Sequence, residues 1–406
     1  MSSPDPRLGW LGTPPDATWP SAATRLADDT NPFVAFRHLL WSHHRAMAAG
    51  WSDVQFVDLV RRLDDAVVEV DGRGFRFTPL VRQRTLAEAV GQTGGIWAKD
   101  ETSNVSGTHK ARHLFGLALH LAVDEVPIDT PLAISSCGNA ALAAAVVARA
   151  CGRPLAVHVP TWADSVVLDR LHSLGAEVRT CERRAGEEGD PCILRFRELV
   201  AEGAVPFTVQ GTEAPWTLDG CRTLGYELVA GLADHTASPT RLFVQVGGAT
   251  MASSIVHALA DAVELGAVTD RPSLVAVQAE GCAPLARAFD RVAGADDVAA
   301  ALCEPDGVHM WPWENPGSAA TGILDDMAYD WRAVVADMLL GQVPGGPVVA
   351  AEADIVEAHD LVRTHTNVPA DPTGTAGMAG LLAARRDGCV DADEEVVVLF
   401  TGVQRS

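Results

Sequence analysis

Short apolar runs alternate along this chain with longer stretches whose apolar positions recur every three or four residues. The first pattern predicts buried strands and the second amphipathic helices. Residues 1–30 are Pro-rich and polar and read as an extended arm. From 32 to 66 the text reads as helices: FVAFRHLLWSHHRAMAAG is periodic, Gly50 ends it, and Ser52-Asp53 caps the next. Strands are then expected at 95–101, 132–136, 155–159, 177–181, 206–210, 241–246, 273–279 and 394–400. Helices are expected between them at 107–123, 139–151, 163–174, 193–202, 218–232 and 251–265. Strands rich in Val, Ile and Leu, each followed by a helix, predict an α/β fold of two lobes. Each lobe holds a mostly parallel sheet flanked by helices. The turns near 126–131 and 210–216 suggest the divisions. These give an N-terminal arm with helices (1–77), a larger lobe (78–117 plus 209–406) and a smaller, mobile lobe (118–208).

Composition narrows the class. With 48% apolar and 21% charged residues, the 406-residue chain can bury sizeable cores. Its net charge of −22 opposes phosphate backbones and anionic lipid, which argues against nucleic acid and membrane as partners. The first residues lack the basic and apolar regions of a secretory signal, and the longest apolar stretches are too short to span a bilayer. A cytoplasmic location is expected. The eight cysteines form no CxxC pair, so no metal site is expected from them.

Only two of the 31 basic residues are lysines, Lys99 and Lys110. Arginine replaces lysine in most surface roles but not as an amine nucleophile. Two lysines retained within one short segment therefore point to a chemical role for at least one of them.

In parallel α/β folds ligands sit where strands end and helices begin, so the turns carry the information. KDETSNVSGTHKAR (99–112) is a strand end, a Gly- and hydroxyl-rich turn, and a helix start bearing Lys110. Positive potential at a helix N-terminus favours the neutral, nucleophilic amine, which suits reaction with an aldehyde. Ser135, Ser136, Cys137 and Gly138 lead into Asn139, either as an ordinary helix cap or as an anion-binding turn. Gly247, Gly248, Ala249 and Thr250 follow another strand and open a helix, the arrangement that cradles phosphate. The spacing matches neither the G-x-G-x-x-G dinucleotide pattern nor a G-K-[ST] loop, so a single phosphate group fits best. Thr401 ends the last strand, where a hydroxyl would serve a ring nitrogen. Together these parts suit pyridoxal 5′-phosphate: an amine for the aldehyde, a phosphate cradle, an Asn for the phenolic oxygen and a hydroxyl for the ring nitrogen.

At this point the residues resemble a known family. The chain is similar to pyridoxal-phosphate enzymes of the tryptophan synthase β type (fold type II), closest to the threonine synthase and threonine/serine dehydratase branch. KDETSNVSGTHKAR resembles its cofactor-lysine segment, SSCGNAALAAA its asparagine loop, and VGGATMAS its phosphate loop. Phe77-Thr78-Pro79-Leu80, LDGCRTLGYEL (218–228), VAVQAEGCAPLARAF (275–289) and SAATGI (318–323) also recur there, in the same order. The resemblance runs from about Thr78 to Gly402. It implies that Lys110 holds the cofactor as a Schiff base and moves the substrate Cα proton. By the same carry-over, Asn139 would bond the 3′-oxygen, Gly247, Gly248, Ala249 and Thr250 the phosphate, and Thr401 the ring nitrogen. Ser135, Ser136, Cys137 and Gly138 would hold the substrate carboxylate. The larger lobe would bind the cofactor, and the smaller would close over the carboxylate. A homodimer is the usual assembly in the family.

The sequence departs from the pattern at His109, where this branch has Phe, and at Cys137, more often Ala or Ser. Ala249 stands for a glycine, and Asp371-Pro-Thr-Gly-Thr for Glu-Pro-Ser-Gly-Ala. The expected activity is a lyase acting on a small amino acid with a β-leaving group, like a serine/threonine dehydratase. A threonine synthase-like or β-replacement synthase is the alternative, with Arg112 and Arg222 as cations for a substrate phosphate. A non-catalytic pyridoxal-phosphate-binding protein is the second alternative. A nicotinamide oxidoreductase reading of the glycine loop explains neither the lysines nor residues 136–139.

Three further features have plainer readings. His43 and His44 are adjacent on a helix and point apart. Trp311 and Trp313 would wall a pocket or pack a loop. Asp325-Asp326 would bind a cation or be solvated.

Overall fold

The computed structural model describes residues 12–27 and 30–405; residues 1–11 and 28–29 of the expected arm lie outside the described residues. The apolar runs form two sheets, with strands numbered in chain order. The six-stranded sheet has the order β1 (Leu80–Arg82), β2 (Ile96–Asp100), β10 (Val396–Phe400), β7 (Arg241–Gln245), β8 (Ser273–Ala279), β9 (Gly346–Ala350). All neighbours are parallel except β1 and β2. The four-stranded sheet has the order β5 (Glu177–Cys181), β4 (Leu155–Pro160), β3 (Leu132–Ser135), β6 (Val205–Pro206) and is wholly parallel. Helices follow the strands, which is the α/β class expected.

Chain contacts separate two compact units. One takes Thr78–Ser103 and Leu224–Ser406 and holds the larger sheet; the other takes Pro14–Phe77 and Asn104–Thr223 and holds the smaller. These breaks fall at other residues than the 117/118 and 208/209 read from the sequence.

In the larger unit, β2, β7, β8 and β10 are almost wholly buried, and the helix Ala376–Arg386 packs on them. Gly377 and Gly380 permit that approach. A Cβ at 377 would lie 3.1 Å from the Phe243 carbonyl, and one at 380 would collide with the Val277 side chain. In the smaller unit, the N-terminal helices pack on the helix Lys110–Val123. The ring of Phe115 lies 4.7 Å from Phe33 and 4.5 Å from Phe75, between centroids. Residues 32–77 thus form part of the core behind the Lys110 helix. Ser52 caps the helix Asp53–Asp71 reciprocally with Gln55, and Gly72 ends it at φ 76°.

Several boundaries moved for identifiable reasons. The helix expected from 33 to 50 is broken into Pro32–Ala35, a 3₁₀ turn and Trp41–Ala48, with Leu40 extended between them. Asp219 accepts the N–H groups of Trp41 and Ser42 at 2.9 and 3.0 Å, which starts a new helix there. The strand expected at 206–210 stops at Pro206. The Val205 and Phe207 N–H groups donate to the Pro131 and Ala133 carbonyls, each at 2.8 Å, so Pro206 turns its missing N–H to the open edge of this two-residue strand, where proline is tolerated. The helix expected from 107 starts at Lys110, because Ser106 and Gly107 take positive φ and Thr108 is extended. β9 was not foreseen: Gly-Gly-Pro at 345–347 reads as a turn, yet it leads an edge strand, where proline is tolerated.

Candidate functional site

The predicted site residues fall in both units: Lys110 and residues 135–139 in the smaller, residues 247–250 and Thr401 in the larger, and all but Lys110 follow C-terminal strand ends of their own unit's sheet. In the smaller unit, Lys110 is the first residue of its helix and is partly exposed. Its N–H faces Thr108 Oγ1 at 3.3 Å. The turn before it is strained: Ser106 has φ 56°, an arrangement that costs a non-glycine residue on the order of 1 kcal/mol. The Ser106 N–H donates to Asp71 Oδ2 at 2.9 Å and ties this turn to the end of the Asp53–Asp71 helix. One turn along from Lys110, His113 is fully buried and donates from Nδ1 to the Thr217 carbonyl at 2.8 Å. Burial holds its pKa down to about 3, with the Lys110 and Arg112 charges adding to the effect, so the ring stays neutral.

The helix Thr217–Asp234 fixes the Lys110 helix. Gly220 packs on Gly116; a Cβ at 220 would run into the Arg112 carbonyl. Arg112 Nη1 donates to Thr223 Oγ1 at 3.0 Å. Arg112 and Arg222, the cations considered for a substrate phosphate, are both fully buried.

β3 ends at Ser135, and residues 135–139 are all partly exposed. Asn139 is the first residue of the helix Asn139–Ala150, and the Gly138 N–H reaches Ser136 Oγ at 3.4 Å. Burial raises the Cys137 thiol pKa, so it is held as a thiol.

In the larger unit, Gly247 and Gly248 follow β7 and lie under the segment 323–330. A Cβ at 247 would sit 3.0 Å from Ile323 Cα, and one at 248 would sit 2.8 Å from the Tyr329 ring. Ala249, at the N-cap of the helix Thr250–Glu264, has φ 70°. The family's glycine would take that conformation without strain. Left-handed Ala249 followed by helical residues makes a concave run of backbone N–H groups at the start of a 15-residue helix. That donor set suits an anionic group, and the Asp325 carboxylate lies against it, where a Cβ at 247 would run into Oδ2. The Thr250 hydroxyl is turned away to Asp330 Oδ2 at 2.5 Å, and the Asp330 N–H donates to the Gly248 carbonyl at 3.0 Å. Thr250 thus offers its backbone. Thr401 is buried just beyond β10 and accepts from Gln245 Nε2 at 2.7 Å.

Lys99 lies elsewhere in its own network. Its Nζ donates to Glu227 Oε2 at 2.6 Å and to the Thr78 carbonyl at 2.7 Å. The two side chains are 1% and 3% exposed, so this amine is enclosed in an ion pair. Of the two lysines, Lys110 is the one that solvent reaches.

The sequence profile of pyridoxal-phosphate dependent enzymes matches residues 72–402. The chain belongs to this family. It is an enzyme of fold type II, and its cofactor is pyridoxal 5′-phosphate. The chain is 24% identical to threonine synthase of Methanocaldococcus jannaschii over 330 residues, 80% of this chain and 74% of that protein. It is 30% identical to human serine dehydratase-like protein over 186 residues, 45% of this chain and 51% of the other. Threonine deaminase isoform 2 of Solanum lycopersicum shares the fold. The TM-score is 0.64 at 17% identity, covering 88% of this chain and 91% of that one.

Sequence reading missed Gln245 and His113, and of the 323–330 segment it singled out only the end of SAATGI and Asp325-Asp326, without placing them at the glycine loop. Gln245 was visible as a polar residue ending an apolar strand. His113 carries no comparable signal. The other features are packed. Arg287 lies 3.8 Å over the Trp311 ring and 5.2 Å from that of Trp313. His38, His43 and Asp53 gather closely enough to suggest a metal, but Arg37 forks onto both Asp53 oxygens at 2.7 and 3.0 Å. The Asp53 carboxyl pKa is held down to about 2, chiefly by Arg37, and that of His43 to about 4 by burial. Among the described residues no helix is long and apolar enough to cross a membrane.

Proposed function

We propose that this enzyme eliminates a β-leaving group from a small amino acid such as serine or threonine. Lys110 holds the cofactor covalently and carries the proton taken from the substrate Cα. Asn139 bonds the 3′-oxygen, the backbone of residues 247–250 takes the phosphate, and Thr401 meets the ring nitrogen. Ser135, Ser136, Cys137 and Gly138 receive the substrate carboxylate. When bound, pyridoxal phosphate withdraws electrons from the bonds at Cα, so that the proton there becomes removable. The carrying observation is the contrast between the lysines: Lys99 is enclosed with Glu227, whereas Lys110 opens a helix and is reached by solvent. A homodimer is part of this reading.

Threonine synthase-like chemistry is the second reading, favoured by relatives of that name that match 80% of the chain. That chemistry needs a second anion pocket, and the complete burial of Arg112 and Arg222 favours elimination.

The test is to titrate the holoenzyme with L-serine, L-threonine and O-phospho-L-homoserine while recording cofactor absorbance and released ammonia, keto acid and phosphate. Keto acid and ammonia from serine or threonine, absent in Lys110→Ala, are expected. Phosphate and threonine from O-phospho-L-homoserine would overturn elimination in favour of the synthase. A wild-type protein that takes up no pyridoxal phosphate would overturn the site assignment.

A further inference from the structure

We propose that Cys181 and Cys192 are a dithiol that peroxide oxidises to a disulfide, a covalent clasp across residues 182–191. Cys181 ends β5, opposite Pro160 at the end of β4. Cys192 is the second residue of the helix Pro191–Ala201. Asp190 caps that helix, its Oδ1 accepting the Cys192 N–H at 2.8 Å. Strand end and helix start converge, and the Cys192 thiol donates a hydrogen bond to the Cys181 sulfur. Both cysteines are buried and both are free thiols. Between them the chain is exposed except at Glu187 and Pro191, and Glu187 pairs with Arg195 of the helix. A small oxidant has only this surface loop to pass.

Packing as small apolar side chains accounts for each cysteine separately. It does not account for two sulfurs in contact with unequal surroundings. Burial raises both thiols above their ordinary pKa. At Cys181 the hydrogen bond from Cys192 and the Arg195 charge work against that rise. At Cys192 the charges of Asp190 and Cys181 add to it. Cys181 is therefore the sulfur that ionises first and attacks, and Cys192 the thiol that resolves. In the first step the Cys181 thiolate attacks one peroxide oxygen. The O–O bond breaks, hydroxide leaves and takes up the thiol proton as water, and a sulfenic acid remains. In the second the Cys192 sulfur attacks the Cys181 sulfur. The S–S bond forms as S–O breaks, and the hydroxide leaves with the Cys192 proton as a second water. Both sulfurs are oxidised and the peroxide is reduced. Asp190 is also within electrostatic reach of Cys137, so the clasp fixes the helix start beside the turn 135–138.

The test treats the holoenzyme with a small excess of hydrogen peroxide, blocks the remaining thiols with iodoacetamide in denaturant, and maps tryptic peptides by mass without reductant. The peptides carrying Cys181 and Cys192 are expected joined, lighter by two hydrogens than the reduced pair and separated by dithiothreitol. The oxidised protein should melt about 4–12 °C above the reduced one, as closing a short loop predicts. Cys192→Ser should leave Cys181 as a sulfenic acid that dimedone labels, and Cys181→Ser should leave Cys192 unlabelled. If both keep their thiols while partly exposed Cys137 or exposed Cys389 is oxidised, the inference is overturned. It is equally overturned if either pairs with a third cysteine. Dimedone on Cys192 rather than Cys181 would overturn the order of attack, and an oxidised Tm no higher than the reduced one would overturn the clasp. Should a serine variant not fold, the wild-type peptide map decides alone.

Discussion

Replacing Lys99 by methionine removes one ammonium group from a closed network and leaves the chain's length and shape at that position. Glu227 Oε2 loses its 2.6 Å partner but keeps the Thr78 N–H at 2.9 Å, while the Thr78 hydroxyl gives its one proton to Glu101 Oε1 at 2.5 Å. The Thr78 carbonyl loses its 2.7 Å donor. Removing one member of a buried ion pair costs about 3–5 kcal/mol, and the surviving Thr78 N–H places this case near 3 kcal/mol. For a unit of this size each kcal/mol lowers Tm by about 2–4 °C, so a fall of about 6–12 °C is expected. The double variant Lys99→Met/Glu227→Gln should recover more than half of that loss, because no carboxylate is then buried alone. Melting of the apoprotein measures the stability. Borohydride reduction of the holoprotein and peptide mass analysis measure where the cofactor is attached. Lys99→Met should still trap the cofactor, and Lys110→Ala should not, with its apo Tm close to wild type. An unchanged Tm in Lys99→Met, or cofactor trapped on Lys99, would refute the division of labour between the lysines.

Ala249→Gly should raise stability by up to about 1 kcal/mol, since glycine takes φ 70° without strain; a lowered urea midpoint would contradict this. Gly220→Ala should destabilise by about 1–3 kcal/mol, because the new methyl meets the Arg112 carbonyl where two helices cross, and urea unfolding reads it. His113 sets an acid limit. Above its ordinary pKa of 6.5 the ring is neutral folded and unfolded, and between there and about 3 only the unfolded chain takes the proton. Stability should therefore fall as pH drops through that window, by at most about 1.4 kcal/mol per pH unit from this group. His113→Gln keeps a donor for the Thr217 carbonyl without titrating and should flatten the slope. Parallel wild-type and variant curves would remove His113 as the cause.

The sheets were legible because parallel strands buried on both faces write themselves as apolar runs. β5 and β8 came out at the residues expected. The breaks were less legible where a distant side chain decides them. Nothing near Leu40 reveals that Asp219, far along the chain, caps the next helix. Nothing in SGTHK marks Ser106 as left-handed, although glycine follows it. The lysine count singled out Lys99 and Lys110 together but could not separate them. The separating feature is Glu227, which closes on Lys99 from a helix remote in sequence.

That same helix shows what a recurring motif does and does not carry. In LDGCRTLGYEL each motif position has a structural task within its own unit. Gly220 admits the Lys110 helix, and Thr223 accepts from Arg112. Tyr226 donates to Asp261 at 2.6 Å, and Glu227 holds Lys99 and the Thr78 N–H. A likeness over these residues therefore reports a scaffold, whatever amino acid is turned over. Substrate choice has to be sought where the chain is exposed and departs from its relatives. In the smaller unit the turn 135–138, proposed above for the substrate carboxylate, is such a place, with Cys137 partly exposed where the family it resembles more often has Ala or Ser. Exchanging Cys137 should accordingly change which amino acid is accepted while leaving cofactor attachment intact, whereas exchange at Gly220 should alter stability without altering preference.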